Sequence, residues 1–236
     1  DTSIYAVPAV TIVEIMGRNA GWLTLAAALP RFVGGSKPDI VAIPEVPFNE
    51  EDFIQRVRDA HRRSPNVVAV VSEGLRTKDG NYVGSQTKSG VVDIFGHTYL
   101  SGVGKYLECL VSEKIGCKVR SIELNLMQRC SSHLASFQDL EEGFAIGKEG
   151  VAAALRGESG KMVAVKRLSN SPYAIGLETV EVTGVANKEQ LVPEKWWDLE
   201  DPQVQAEICS YILPLIKGEV PQFKNEFGLN DYVIFE

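Results

Sequence analysis

Apolar positions along the chain follow two rhythms in alternation. Short runs rich in β-branched residues at 10–15 (VTIVEI), 39–44 (DIVAIP) and 66–71 (NVVAVV) read as buried strands. The first two are each followed by a stretch of helical character. Residues 22–29 (WLTLAAAL) are good helix formers, apolar but for Thr24, and Pro30 is expected to end them. Residues 51–63 predict a second helix. Asn49 is placed to cap it, and Asp52, three residues on, stands near the capping-box spacing. Strands alternating with helices of this length imply right-handed βαβ units around a parallel sheet, the α/β class.

Beyond residue 74 the pattern loosens. Residues 75–98 are glycine-rich and polar and read as a surface loop, with a short hairpin at Asp79-Gly80. Lys78 and Lys88 in this loop suit a phosphate or plain solvent, and His97 near its end has no assigned role. Residues 104–115 predict an amphipathic helix through Leu107, Leu110, Val111 and Ile115, closed by Gly116, and 121–126 a strand. A long helix follows from Gln138 or Asp139, with Leu140, Phe144, Ile146, Val151 and Leu155 as its apolar face and Gly157 near its end. Gly143, Gly147 and Gly150 lower its propensity and predict close packing. Strands are expected at 161–168 and 173–183, irregular chain at 185–197 and a helix at 202–216. Trp196 and Trp197 fit core packing or a sugar-stacking platform.

Composition narrows the function classes. The chain has 236 residues, 44% hydrophobic and 23% charged, within the globular range. A net charge of −7 argues against a nucleic-acid surface. Four cysteines without a CxxC pair, and three histidines, form no zinc pattern and predict free thiols in a reducing, cytoplasmic setting. No apolar run reaches the roughly 20 residues that span a bilayer. The first residues lack a signal peptide's basic start and long apolar centre. A core strand within ten residues of Asp1, with no initiating methionine, leads us to expect the later part of a longer protein.

The stretch with most chemical content is 11–31. A strand, the turn from Gly17 to Gly21 and a helix together place a ligand at the carboxyl edge of a parallel sheet. The helix N-terminus offers N–H groups to an anion, and Arg18 adds a forked cation suited to phosphate. The same spacing also serves an ordinary strand-to-helix connection. Glu45 and Glu73 stand where strands end, a position equally open to a ligand contact or to an acid leading into a helix.

Three segments carry a resemblance. VEIMGRNAGWL (13–23) resembles the Met-Gly-Arg substrate loop of phosphofructokinases, and IPEVPF (43–48) their Pro-Glu-x-x-Phe motif. RSIELNLMQRC (120–130) is similar to their arginine-led strand and Gln-Arg pair, in wording closest to the pyrophosphate-using branch. The resemblance covers most of residues 9–168. It implies a Rossmann-like three-layer sandwich with a mainly parallel sheet, forming part of a two-domain fold. Residues 1–127 would bind the sugar phosphate, 128–170 would cross over to the donor-side domain, and 171–236 would return to the first domain. It also implies transfer of a phosphoryl group from pyrophosphate to the 1-hydroxyl of fructose 6-phosphate, with Mg2+, in a homo-oligomer. Met16, Gly17 and Arg18 would hold the substrate, with Arg18 acting on the transferring group. Glu45 would bind sugar hydroxyls, and Arg129 the 6-phosphate. Arg120 would reach a neighbouring subunit.

The sequence departs from the family at Leu126, where many relatives have histidine, at Cys130 and Ser131 in place of a glycine pair, and at Ala9, where some relatives are basic. The family's Gly-Gly-Asp-Gly donor loop and Thr-Ile-Asp base motif do not occur in these residues and are expected before Asp1. The chain taken alone is therefore expected to be inactive. An ATP-dependent phosphofructokinase and a non-catalytic sugar-phosphate-binding module remain the alternatives.

Overall fold

The computed structural model describes residues 7–84 and 102–231; Lys88 and His97 lie outside the described residues. The chain divides into two compact units, residues 1–128 with 189–206, and residues 129–188 with 207–236.

The first unit is built on four parallel strands, β1 (Ala9–Ile15), β2 (Ile40–Ala42), β3 (Asn66–Ser72) and β4 (Lys118–Glu123), in the order β2-β3-β1-β4. Alternate residues of each strand enter one core. Val10 and Ile12 of β1 and Val67, Ala69 and Val71 of β3 pack with Phe53 and Val57 of α3 (Glu50–Arg63) and Leu107 and Val111 of α4 (Val103–Ile115). Val41 and Val70, which alternate with those residues, are buried too. So are Leu25, in α1 (Trp22–Ala26), and Leu29, in α2 (Leu29–Phe32), which completes the three-layer α/β arrangement that the resemblance implies.

Local signals acted as their chemistry dictates. Asn49 caps α3 by accepting the Asp52 N–H at 2.9 Å. Gly116 closes α4 in the left-handed conformation, φ 76°. Arg76 and Tyr82 pair across the turn at Asp79-Gly80. Pro30 does not end the first helix. It occupies the first turn of α2, where the missing N–H would have had no helical partner. The strand expected at 121–126 is β4, which starts and stops earlier, and the chain then enters α5 (Asn125–Cys130) with Asn125 at φ 43°.

In the second unit α6 (Phe137–Leu155) leads to an antiparallel hairpin, β5 (Lys161–Asn170) and β6 (Tyr173–Glu181). A turn of helix, α7 (Val182–Val185), and irregular chain precede α8 (Pro202–Ile212), whose later residues belong to this unit. The Arg167 guanidinium lies 4.6 Å from the Tyr173 ring and 4.5 Å from that of Tyr211, and donates to the Tyr211 carbonyl at 2.8 Å. Of the apolar face foreseen for α6, Leu140, Phe144, Val151 and Leu155 align and are exposed, whereas Ile146 lies on the other side of the helix, one turn from Glu142, and is half-buried.

Leu107 is fully buried in the first unit's core. Leu107→Ala is expected to cost about 2–5 kcal/mol through lost contact and a residual cavity, read as a lower urea midpoint of that unit.

Candidate functional site

The turns after β1, β2 and β3 meet at the carboxyl edge of the first unit's sheet. Gly17, two residues past β1, has φ 143°, in the left-handed region that favours glycine. The end of β3 and the turn after it hold the Gly17 backbone at both its N–H and its carbonyl. Gly17 N–H donates to Glu73 Oε1 at 3.1 Å, and the Ser72 hydroxyl donates to the Gly17 carbonyl at 2.5 Å. Ser72 Oγ also accepts the Gly74 N–H at 3.0 Å. The two turns touch backbone to backbone. A Cβ on Gly74 would stand 1.8 Å from the Arg18 carbonyl oxygen, so residue 74 has no room for a side chain. Met16 N–H donates to Gln128 Oε1 at 3.0 Å. Arg18 is half-buried, and its side chain makes no hydrogen bond or ion pair among the described residues.

Glu45 follows β2. Its Oε1 accepts two backbone N–H groups, from Gly21 and from Val192, each at 2.9 Å. Its Oε2 is buried and has no hydrogen-bond partner among the described residues. A Cβ on Gly21 would stand 2.7 Å from that oxygen. The sequence led us to expect free N–H groups at the start of α1. The Gly21 N–H is already taken by Glu45, and α1 has only five residues. Residues 189–196 strap this corner together. Asn19 donates to Glu189, the Trp22 indole N–H donates to the Gln190 carbonyl at 2.6 Å, and Trp22 meets Trp196 edge to face at 6.0 Å. The buried Trp196 is thus a packing residue.

Glu14 lies inside β1, directly opposite Glu123 of β4, so both carboxyl groups share one face of the sheet. Its Oε2 accepts the Gly104 N–H at 2.6 Å, in the first turn of α4. Burial pushes its pKa up from 4.5 to about 7. The Gly104 N–H works against that rise, and the charges of Glu123 and Glu73 add to it.

The arrangement can now be set against known proteins. Residues 1–146 match the family profile described as Phosphofructokinase. The chain belongs to the phosphofructokinase family. A Halomonas elongata protein named pyrophosphate–fructose 6-phosphate 1-phosphotransferase is 36% identical over 217 residues, 92% of this chain and 51% of that protein. One of the same name from Methylococcus capsulatus is 35% identical over 223 residues, 94% of this chain and 52% of that protein. The crystal structure of a pyrophosphate-dependent phosphofructokinase from Nitrosospira multiformis aligns with a TM-score of 0.78 at 28% identity, over 97% of this chain and 53% of that one. This phosphofructokinase chain thus spans about half the length of the relatives it matches.

Of the residues singled out by the phosphofructokinase motifs, Met16, Gly17, Arg18 and Glu45 stand at one sheet edge of the first unit. Arg120 lies within β4, opposite Thr11 and short of the strand's carboxyl end. Arg129 is exposed on α5 and is the first residue of the second unit. Sequence reasoning missed the grip of Ser72 and Glu73 on Gly17 and the strap at 189–192. Glu73 was noticed at a strand end, but its partner is 56 residues away, and no local pattern encodes that distance.

Glu14 supplies a pH test. Unfolded, its carboxyl titrates near 4.5; folded, near 7. Between those values the folded chain holds the extra proton, so this site's contribution to stability falls as pH rises through the window and stays low above it. Glu14→Gln keeps an acceptor for Gly104 and has no charge. Its stability advantage over wild type is expected to be absent below pH 4.5 and to grow from there to pH 7, followed by denaturant midpoints across that range.

Proposed function

We propose that this chain is the acceptor-binding part of a phosphotransferase that moves a phosphoryl group from pyrophosphate to the 1-hydroxyl of fructose 6-phosphate, a glycolytic step. The observation that carries the reading is Arg18, a half-buried residue whose side chain has no partner among the described residues and whose turn is held at the carboxyl edge by Ser72, Glu73 and Gln128. A forked cation at such an edge is what phosphoryl transfer needs, because its catalysis is mainly positioning and charge neutralisation. The names of the relatives favour pyrophosphate over ATP as donor.

In the proposed reaction the sugar's 1-hydroxyl oxygen forms the new bond to phosphorus. The bridging P–O bond of pyrophosphate breaks, and phosphate leaves. Arg18 spreads its charge over the transferring group. Glu45 Oε2 is the acceptor left over for a sugar hydroxyl. It is sealed from solvent, so the hydroxyl reaches it as the strap at Val192 gives way. Arg129 binds the 6-phosphate, with Arg120 supplied from a second copy in a homo-oligomer. The hydroxyl proton goes to a base that we assign to no described residue.

Magnesium belongs to the proposal as the donor's counter-ion. The carboxylates described here do not fit as its ligands. Glu73 Oε1 and Glu45 Oε1 accept backbone N–H groups, and Glu14 favours its neutral form up to about pH 7. Among the described residues no helix is long and apolar enough to cross a membrane, and we place the enzyme in the cytoplasm.

Isothermal titration with fructose 6-phosphate tests the reading. Wild type is expected to bind, and to show no pyrophosphate turnover when taken alone. Arg129→Ala is expected to weaken binding about 10–100-fold, the range for a hydrogen bond to a charged group. Unchanged affinity in that variant removes Arg129 from the site.

A further inference from the structure

A cavity that neither Arg18 nor Glu45 lines opens in the first unit between the exit of β2, the start of α3 and residues 197–200. Its volume is about 340 Å³, at the small end of the range for ligand cavities, about 300–1,000 Å³. The inner wall is apolar. Ile43 is buried, and the rings of Phe48 and Phe53 meet as a tilted pair with centroids 5.5 Å apart. Trp197, which the sequence left between core packing and a ligand platform, forms another wall and is half-buried. Its indole N–H donates to the Val192 carbonyl at 3.3 Å, and the Phe48 N–H donates to the Arg76 carbonyl at 2.7 Å. Both aromatic walls are thus anchored to the backbone of other segments, and the cavity is formed in the free chain.

Four charged residues line the same cavity: Asp52, Arg56, Asp198 and Glu200. Two of them are engaged. Asp198 Oδ1 accepts the Glu200 N–H at 3.1 Å, and Glu200 pairs with Arg31 at 3.2 Å. The side chains of Asp52 and Arg56 make no hydrogen bond or ion pair among the described residues. They are four residues apart in α3 and so share one face of the helix. Opposite charges at that spacing commonly pair with each other. Here they stay apart, beside an aromatic cavity. Arg56 is also half-buried, and a cation withdrawn from water without a counter-charge is destabilising. An anion at Arg56 removes that penalty.

We propose that this cavity binds a free α-amino acid with an apolar side chain of the size of leucine or phenylalanine. The ammonium group pairs with Asp52, the carboxylate takes the Arg56 guanidinium in a forked contact, and the side chain enters between Phe48, Phe53 and Trp197. A plain amine leaves Arg56 unmatched, and a plain carboxylic acid leaves Asp52 unmatched. A ligand carrying both charges on one short stem satisfies the pair and still offers an apolar remainder to the rings. The site rests on the first unit's own geometry and on no assignment of a sugar contact.

Isothermal titration of the full chain with L-phenylalanine tests this, with the Trp197 indole N–H resonance as the locator. Binding at one site per chain is expected, together with a shift of that resonance. Asp52→Asn and Arg56→Gln should each weaken phenylalanine binding about 10–100-fold, the range for a hydrogen bond to a charged group, in protein whose far-UV circular dichroism matches wild type. Two partial probes separate the charges. Phenethylamine lacks the carboxylate, so its binding should ignore Arg56→Gln; 3-phenylpropionate lacks the ammonium group and should ignore Asp52→Asn. Absence of both heat and resonance shift with phenylalanine and with leucine overturns the proposal. So does phenylalanine binding that neither substitution weakens, or that leaves the Trp197 signal unmoved. Either partial probe binding as tightly as phenylalanine overturns it too.

Discussion

The carboxyl edge of the first unit depends on the backbone of one glycine. Gly17 gives its N–H to Glu73 and receives the Ser72 hydroxyl on its carbonyl, so a single backbone unit is held from both sides by the turn after the neighbouring strand. This grip works only because two glycines leave room for it. Gly17 takes up a positive φ, and Gly74 lets the Arg18 carbonyl come within the space a Cβ would fill. The parallel pairing of β1 with β3, in register from Ala9↔Asn66 to Ile15↔Ser72, brings the two turns level. Core packing of Val10, Ile12, Val67 and Val71 sets that register. A few buried methyl groups therefore decide where a guanidinium can stand.

Elements governed by local rules were legible in the sequence. β-branched runs became β1, β2 and β3, the asparagine cap with Asp52 three residues on became the start of α3, and Gly116 closed α4. What stayed hidden involves distance. The partners of Gly17 lie 55 and 56 residues away, and those of Glu45 include Val192, 147 residues on. No periodicity in a single chain encodes such pairings. The motif wording pointed to Glu45 as a ligand contact; coordinates add that one of its oxygens already braces the backbone at Gly21. The two readings are compatible, because a carboxylate has two oxygens and only Oε1 is spent.

The α6 helix shows a different limit. Its spacing announced an amphipathic helix, and the helix is there. Spacing says that one face is apolar; it does not say what that face meets. Here the packed side carries Gln138, Glu142, Ile146 and Ala153, and the leucine and phenylalanine side looks outward. Helices of this kind take most of their stability from packing, so their orientation reports which surfaces a fold has available. In the second unit the polar face found partners within the unit, among them Tyr173, while among the described residues Leu140, Phe144, Val151 and Leu155 stay exposed.

Glu14 explains why the turn's starting point is firm. An acid within a buried strand is destabilising unless it is neutral or hydrogen-bonded, and this one is held near neutrality by burial while its Oε2 takes the Gly104 N–H. That bond ties the first turn of α4 to β1. One residue later the Ile15 carbonyl accepts the Glu73 N–H at 3.0 Å, and one residue after that Met16 donates to Gln128. Three successive residues of β1 and its exit are thus fastened to three separate elements: α4, the turn after β3, and α5. A strand end so fastened cannot slide or rotate without breaking bonds in several directions at once. Arg18, two residues further on, makes no side-chain bond among the described residues, and its Cα keeps a defined place because the backbone before it is fastened.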